Sequence, residues 1–397
     1  MLETAHEQII SKEIHPDCLV TVVVPVRNEA ENVRRMLLSL LEQVDLQNRA
    51  LNKKSFEIIV LANNCGDESA AIVESVAGDH TDFDIHFAEV KLAAENANIG
   101  YVRRWLMNEA QARLNRNKCG RGVIMTTDGD TCVAPNWIAA NLNEIQNGAD
   151  AVGGRILIKK QDLKQMNAKA RRFHLLDTGY RLLAAELEAR LDYVAHDYLP
   201  RHHQHFNGSF AVTTQAFRRA GGIPPVKFLE DVAFFQSLMR IDARFRHSPL
   251  VRVETSSRTA GRTELGLSTQ LNEWTLMGEN GDTYFVESAE AIAQRFFLRG
   301  ALRKLWSEKI LPLPQISSLA DKLLISQKFL ERELDAIQTF GSLLEKVQHA
   351  QNEGGEWKRR YPLVCVSRAI KDLRKLLEII RQKPHSPEHF FVHTSSR

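Results

Sequence analysis

The stretch GVIMTTDGDTCVAPNWI, residues 122–138, sets two aspartates one residue apart, Asp128 and Asp130, at the end of an apolar run. Val123-Ile124-Met125 is short, apolar and partly β-branched, so it reads as a buried strand. Pro135 then stands at a first helical position, ahead of NWIAANLNEI. Strand, acidic turn and helix in that order put the aspartates at the carboxyl end of a strand, where open α/β sheets bind their ligands. A chain this long carries about one D-x-D by chance, and this one has a second, Asp82-Phe83-Asp84. That pair leads into the amino end of a strand, DIHFAEV, and reads as an ordinary acidic turn.

Outward from residue 128 the pattern repeats. LVTVVVPV (19–26), FEIIVLA (56–62) and DIHFAEV (84–90) read as strands, and a fifth follows at ADAVGGRILI (149–158). Between them lie helical stretches, the clearest being NVRRMLLSLLEQV (32–44), apolar at 33, 36, 37, 40, 41 and 44. Successive β-α units imply an α/β fold, a Rossmann-like and mostly parallel central sheet with helices on both faces. Beyond Lys160 a helical stretch runs to about Ala195; RHHQHFNGSFAVTTQAFRRAGGI (201–223) returns to strand and helix. LEDVAFFQSLMRI (229–241) is helical, and so is everything after about Asp282. The change of periodicity divides the chain into an N-terminal segment 1–18, an α/β domain 19–282 and a helical C-terminal extension 283–397.

Bulk properties exclude several classes. A net charge of +3 over 397 residues gives no nucleic-acid footprint. No run approaches eighteen apolar residues, so no transmembrane helix is expected, and MLETAHEQIISKEIHPD does not fit a signal peptide. Cysteines at 18, 65, 119, 132 and 365 show no zinc spacing and fit reduced thiols in the cytoplasm. RHHQH lacks a four-ligand set and reads as an acceptor-side loop or plain surface. In VSRAIKDLRKLLEIIRQK (366–383) residues 366, 370, 373, 376, 377 and 380 form one apolar stripe opposite lysines and arginines. The stripe is expected to pack on the α/β domain, with peripheral contact to an anionic membrane as the second reading.

Four segments together, VTVVVPVRNEAENV, the D-G-D, FNGSFAVTTQAFRRAGGI and LEDVAFFQSLMR, resemble the family 2 glycosyltransferases of the GT-A fold, over roughly residues 19 to 260. The resemblance implies metal-dependent transfer of a sugar from a nucleoside-diphosphate sugar, UDP favoured, to an acceptor hydroxyl with inversion. A leaving diphosphate needs its charge neutralised, and Mn2+ or Mg2+ held by carboxylates suits this. By resemblance Asp128 contacts the ribose or the metal and Asp130 binds the metal, while Gly129 lets the backbone turn tightly between them. Glu230 and Asp231 open a helix, where acids also serve as caps; the resemblance makes Asp231 the general base that deprotonates the acceptor. Pro25, Asn28 and Glu29 would lie beside the base and ribose, and Gly208 would border the donor sugar and acceptor.

Two positions depart from the family pattern. Asn63 stands where an aspartate usually meets the uracil ring; its amide can accept and also donate. A histidine that commonly serves as a third metal ligand is missing: its place falls near Thr255, and His247 comes too early. Arg258 and Arg262 would then share the leaving phosphate, as would Arg103 or Arg104, for which a surface salt bridge is the other reading. The alternatives are a retaining enzyme similar to the glucosyl-phosphoglycerate synthases, or a degenerate sugar-nucleotide-binding protein.

Overall fold

The structure, a computed structural model, describes residues 9–117, 122–257, 266–308 and 313–382. Arg258 and Arg262 lie outside the described residues. In chain order the first elements are β1 (Val20–Val26), α1 (Val33–Leu41), β2 (Phe56–Asn63), α2 (Ser69–Asp79), β3 (Asp84–Val90), α3 (Ile99–Arg116) and β4 (Val123–Thr127). There follow β5 (Cys132–Val133), α4 (Trp137–Gln146), β6 (Ala151–Ile158), α5 (Lys160–Gln165), α6 (Ala168–Leu191), β7 (Ser209–Thr213), α7 (Thr214–Arg219), α8 (Glu230–Arg240) and β8 (Phe245–Thr255). The remainder is α9 (Leu267–Asn280), β9 (Phe285–Val286), α10 (Ala289–Glu308), α11 (Leu313–Leu323), α12 (Gln327–Ala336), α13 (Phe340–Gly354), α14 (Glu356–Arg360), β10 (Val364–Cys365) and α15 (Val366–Gln382).

The chain forms two compact units. One comprises Met1–Met166 with Gln204–Asn272, the other Asn167–His203 with Glu273–Arg397. The sheet belongs to the first, in the order β3-β2-β1-β4-β7-β6-β8-β5. β3, β2, β1 and β4 run parallel, as β-α-β succession requires, and β6 pairs parallel with β8. β7 enters between β4 and β6 antiparallel to both, so that Thr127 pairs with Ser209. That pairing lays the strand after Asn207-Gly208 beside the strand that leads into Asp128.

Helices cover both faces, and the alternation of β1 shows why. Val20, Val22, Val24 and Val26 face a core shared with Val33, Met36, Leu37 and Leu40 of α1 and with Trp137 and Ile138 of α4. Val23 faces the opposite core, built from Val102, Leu106, Met107 and Ala110 of α3 and Phe234 and Leu238 of α8. A strand sandwiched between two helical layers must be apolar on both sides, which is why VTVVVPV reads as a continuous run.

Charged groups pin the sheet's edge. Glu57, buried on β2, accepts from Thr21 Oγ1 at 2.8 Å, from Arg113 Nε at 3.0 Å and from Arg113 Nη2 at 2.7 Å, and meets His86 Nε2 at 3.0 Å. Burial alone would raise its pKa; the His86 and Arg113 bonds outweigh that and hold it below the usual carboxylate range. The second D-x-D is absorbed the same way: Asp84 binds Lys12 at 2.6 Å and Lys54 at 3.2 Å, and Asp82 pairs with Lys53. Lys12 and Ile10, the latter in the core, tie the N-terminal segment into this unit.

In the helical unit, Val366, Ala369, Ile370, Leu373, Leu377 and Ile380 of α15 are buried with Tyr180, Leu187 and Leu191 of α6 and Ile292 of α10. The apolar stripe is therefore covered by protein, but by helices of its own unit and not by the sheet-bearing one: α6, which falls within 19–282 in sequence, groups with the C-terminal helices. Among the described residues no helix is long and apolar enough to cross a membrane.

Removing one partner of a buried ion pair leaves an uncompensated charge, so Arg113→Ala is expected to cost about 3–5 kcal/mol. Lys53→Ala, which breaks an exposed pair with Asp82, is expected to cost under about 1 kcal/mol. Urea unfolding of both variants checks this, and equal losses would contradict it.

Candidate active site

β4 ends at Thr127, and the chain turns at once: Thr131 N donates to Asp128 O at 3.0 Å. A Cβ built on Gly129 would lie 3.1 Å from Glu29 Cγ, 3.2 Å from Val26 Cγ2 and 3.4 Å from Pro25 O. Gly129 thus lets the acidic turn pack directly on the end of β1, and it brings Pro25 and Glu29 beside the two aspartates. Asn28 has φ 55°, a left-handed conformation that asparagine tolerates, and its Oδ1 accepts from Gly66 N at 2.7 Å. Asn63 is buried at the end of β2, the neighbouring strand.

Asp130 is only 8% exposed. Three hydroxyls donate to its carboxylate: Thr131 at 3.2 Å and Thr255 at 3.3 Å to Oδ1, and Ser256 at 2.9 Å to Oδ2. The place where the sequence sought a histidine is therefore filled by Thr255 and Ser256, which orient Asp130. Among the described residues no group of three His, Cys, Asp or Glu side chains is arranged to hold a metal. The donor set is two carboxylates, all oxygen. It fits a hard cation of the Mg2+ or Mn2+ type that takes its other ligands from phosphates and water. It does not fit a zinc site, and RHHQH supplies none.

Arg103 joins the separate motifs. Its guanidinium, 2% exposed, donates from Nη2 to Asp128 Oδ1 at 2.6 Å and from Nε to Glu230 Oε1 at 3.2 Å. Nη1 donates to Thr126 Oγ1 at 2.6 Å and to Asn207 O at 3.4 Å. One side chain thus ties β4, the D-G-D, the loop before β7 and the start of α8. Burial works against its charge; Asp128 and Glu230 more than offset this and hold its pKa above the ordinary arginine value. Gly100 lets this happen: a Cβ there would fall 2.1 Å from Val226 O, so only glycine lets the first turn of α3 press against the loop that leads into α8.

Asp128 stays open at the other side, its side chain 41% exposed. A Cβ on Gly208 would sit 2.9 Å from Asp128 Oδ2, so Gly208 makes room for that carboxylate. Both amide atoms of Asn207 are buried without a hydrogen-bond partner, a feature that native cores keep rare.

Asp231 follows Glu230 at the N-terminus of α8, after Leu229 at φ 54°. A left-handed leucine costs about 1–2 kcal/mol, and such strain gathers at functional sites. Asp231 Oδ1 accepts from Val232 N at 2.8 Å, as a cap does. Yet its pKa is pushed up to about 6, first by burial and then by the charge of Glu230, with Arg103 pulling the other way.

Of the residues singled out in the sequence, Pro25, Glu29, Asp128, Asp130, Gly208, Glu230 and Asp231 meet around this site. Arg103 is a buried strut whose fork is occupied by protein acceptors, and not a surface salt bridge. Arg104, half-buried, occupies the next position of α3. Sequence reading did not find the roles of Arg103, Thr126, Asn207, Thr255 and Ser256. A signal for Arg103 existed: it shares the buried face of α3 with Val102, Leu106, Met107 and Ala110.

Residues 21–212 match the family model described as glycosyl transferase family 2. The segment from β1 into β7 is thus similar to a family 2 glycosyltransferase domain. The match covers the D-G-D and Asn207-Gly208 and ends before Glu230-Asp231. Among solved structures the chain is similar to Staphylococcus aureus TarS 1–349 in complex with UDP, at 12% identity over 91% of each chain and a TM-score of 0.41. It is also similar to the mannosyltransferase PcManGT of Pyrobaculum calidifontis in complex with GDP-Man and Mn2+, at 14% identity over 93% of this chain and 88% of that one, TM-score 0.43. No curated protein matches the chain.

The elevated pKa of Asp231 has a stability consequence. Its folded value, about 6, lies above its ordinary value of 3.8, so ionising it penalises the fold. The penalty sets in as pH rises through about 4, grows to pH 6 and is complete by pH 8. Asp231→Asn is expected to raise the unfolding free energy at pH 8 by on the order of 1–3 kcal/mol and to leave it nearly unchanged at about pH 3. Denaturant unfolding at about pH 3 and pH 8 checks this, and a variant no more stable at pH 8 contradicts it.

Proposed function

We propose that this enzyme transfers a sugar from a nucleoside-diphosphate donor, UDP-linked, to an acceptor hydroxyl, with inversion and with Asp231 as general base. The observation that carries the reading is the Arg103 bridge from the donor-side aspartate of the D-G-D to the acid pair that contains the base.

A bound Mn2+ or Mg2+ would neutralise the charge that builds on the leaving diphosphate. Asp128 and Asp130 would hold it, with Thr131, Thr255 and Ser256 fixing the orientation of Asp130. Asp128 keeps one oxygen toward Arg103 and the other toward Gly208. Glu230 spends its charge on Arg103 and so is not free to take a proton from the acceptor. Asp231, next in sequence, can: a carboxylate that titrates near 6 is ionised at neutral pH and still basic enough to receive a hydroxyl proton during attack. One base acting on the nucleophile suits single displacement, hence inversion. Asn63 at the end of β2 would meet the nucleobase through its amide. The described cysteines are free thiols, which supports a reducing compartment, the cytoplasm.

Titration calorimetry with UDP is expected to show binding that needs a divalent cation and is much weakened in Asp130→Ala; equal affinity in EDTA would remove the metal from the mechanism.

For Asp231→Asn, loss of a base used only in the transition state should abolish release of UDP from the donor while leaving donor affinity nearly intact. In the unaltered enzyme kcat/KM should rise with pH through about 6. Turnover surviving within about tenfold, ~1.4 kcal/mol, would make Asp231 a helix cap only. NMR of the product's anomeric proton separates inversion from retention.

A further inference from the structure

The helical unit holds a cleft of its own, of about 450 Å³, walled by α6, β9 and α10. Its charged side chains are Arg181, Glu188, Glu287 and Arg295, two of each sign. Each is held by a partner. Arg295 Nη1 donates to Glu287 Oε2 at 2.7 Å, Arg181 Nε lies 2.8 Å from Asp177, and Glu188 accepts from Arg299 at 2.6 Å. Charges that cancel and are already paired give no net attraction for a phosphate or a nucleotide. They equally forbid a purely apolar ligand, which would strip water from four ions.

Between them stand aromatic faces. Tyr284 is fixed edge-on to Phe173 and Trp274, ring centroids 6.0 Å from each, and its hydroxyl donates to Asp177 Oδ1 at 2.7 Å. Burial pushes that phenol up to about 12, so it remains a neutral hydroxyl. Phe285, beside it on β9, is 54% exposed. Phe296 carries Arg299 over its ring at 5.1 Å. The wall thus sets aromatic side chains next to paired donors and acceptors of zero net charge.

A ligand that matches must be neutral, have an apolar face for the rings, and carry groups that both donate and accept. A pyranose does all three: its C–H face is apolar and its hydroxyls bond in both directions. The volume lies in the range of small-molecule sites and has room for about two hexose rings. We propose that this cleft is a neutral-saccharide-binding site formed wholly within the helical unit, with Phe285 as the stacking platform and the Arg295–Glu287 pair as a hydrogen-bonding partner. The proposal rests on the glycosyltransferase reading only for where such a saccharide would come from, the acceptor or the product of the reaction.

The test is calorimetric titration of the full chain with neutral trisaccharides: mannotriose, cellotriose and triacetylchitotriose. At least one is expected to bind with a Kd below about 10 mM. Phe285→Ala should weaken that binding by about tenfold or more, the loss of one anchoring ring. Ala184→Trp, which fills the cleft, should abolish it, with the melting temperature showing that the variant is folded. UDP affinity should be unchanged in both. No binding by any of the three sugars to the unaltered chain overturns the proposal, and so does unaltered saccharide affinity in Phe285→Ala. Loss of UDP binding by the unaltered chain would instead strike the donor reading, and the saccharide titration stands apart from it.

Discussion

The α/β unit's site depends on one buried cation. Four elements distant in sequence, α3, β4, the loop before β7 and α8, meet at the guanidinium of Arg103. Arginine alone among side chains offers five donors in a fixed plane and keeps its charge when buried. A lysine could satisfy Asp128 or Glu230, but its point charge could not hold both while also bonding Thr126 and Asn207. The arrangement also explains the glycines. Gly100 brings α3 close to the loop before α8, Gly129 seats the acidic turn on β1, and Gly208 leaves space for the second oxygen of Asp128.

Around that cation the acids divide their roles by environment. Asp128 and Glu230 are matched to Arg103. Asp130 is surrounded by hydroxyl donors and contributes an oriented carboxylate. Asp231 is left with burial and the neighbouring charge of Glu230, and its pKa rises to about 6. Groups of the same chemical type are thus set to different tasks by what lies within hydrogen-bonding reach.

Much of this was legible in the residues. β1, β2 and β4 follow from their apolar runs, and the edge strand β3 from its alternation of polar and apolar residues. Asp128 and Asp130 stood out because they follow a strand, and Asp84 did not because it begins one; Lys12 and Lys54 then neutralise it. What escaped were relations between distant segments. Nothing local marks β7 as the strand that slips antiparallel between β4 and β6, because side-chain alternation is the same in either direction. Thr255 and Ser256 look like ordinary loop residues until β8 delivers them to Asp130. α6 carries no strong apolar stripe of its own, and packing of α15 and α10 against Tyr180, Leu187 and Leu191 decides its company. Arg103 and Arg104 differ by one helical step, and the buried face of α3 selects the first.

The central claim is that Asp128 and Glu230 are coupled through Arg103. A double-mutant cycle on unfolding free energy, with Asp128→Asn, Glu230→Gln and the pair, measures this most directly. Either single change leaves the guanidinium one carboxylate; the pair leaves a buried cation with none. The account predicts that the double variant loses more than the sum of the singles, by on the order of 1–3 kcal/mol, and that the excess disappears when the cycle is repeated on Arg103→Met. Losses that add within about 0.5 kcal/mol in the native background would contradict it.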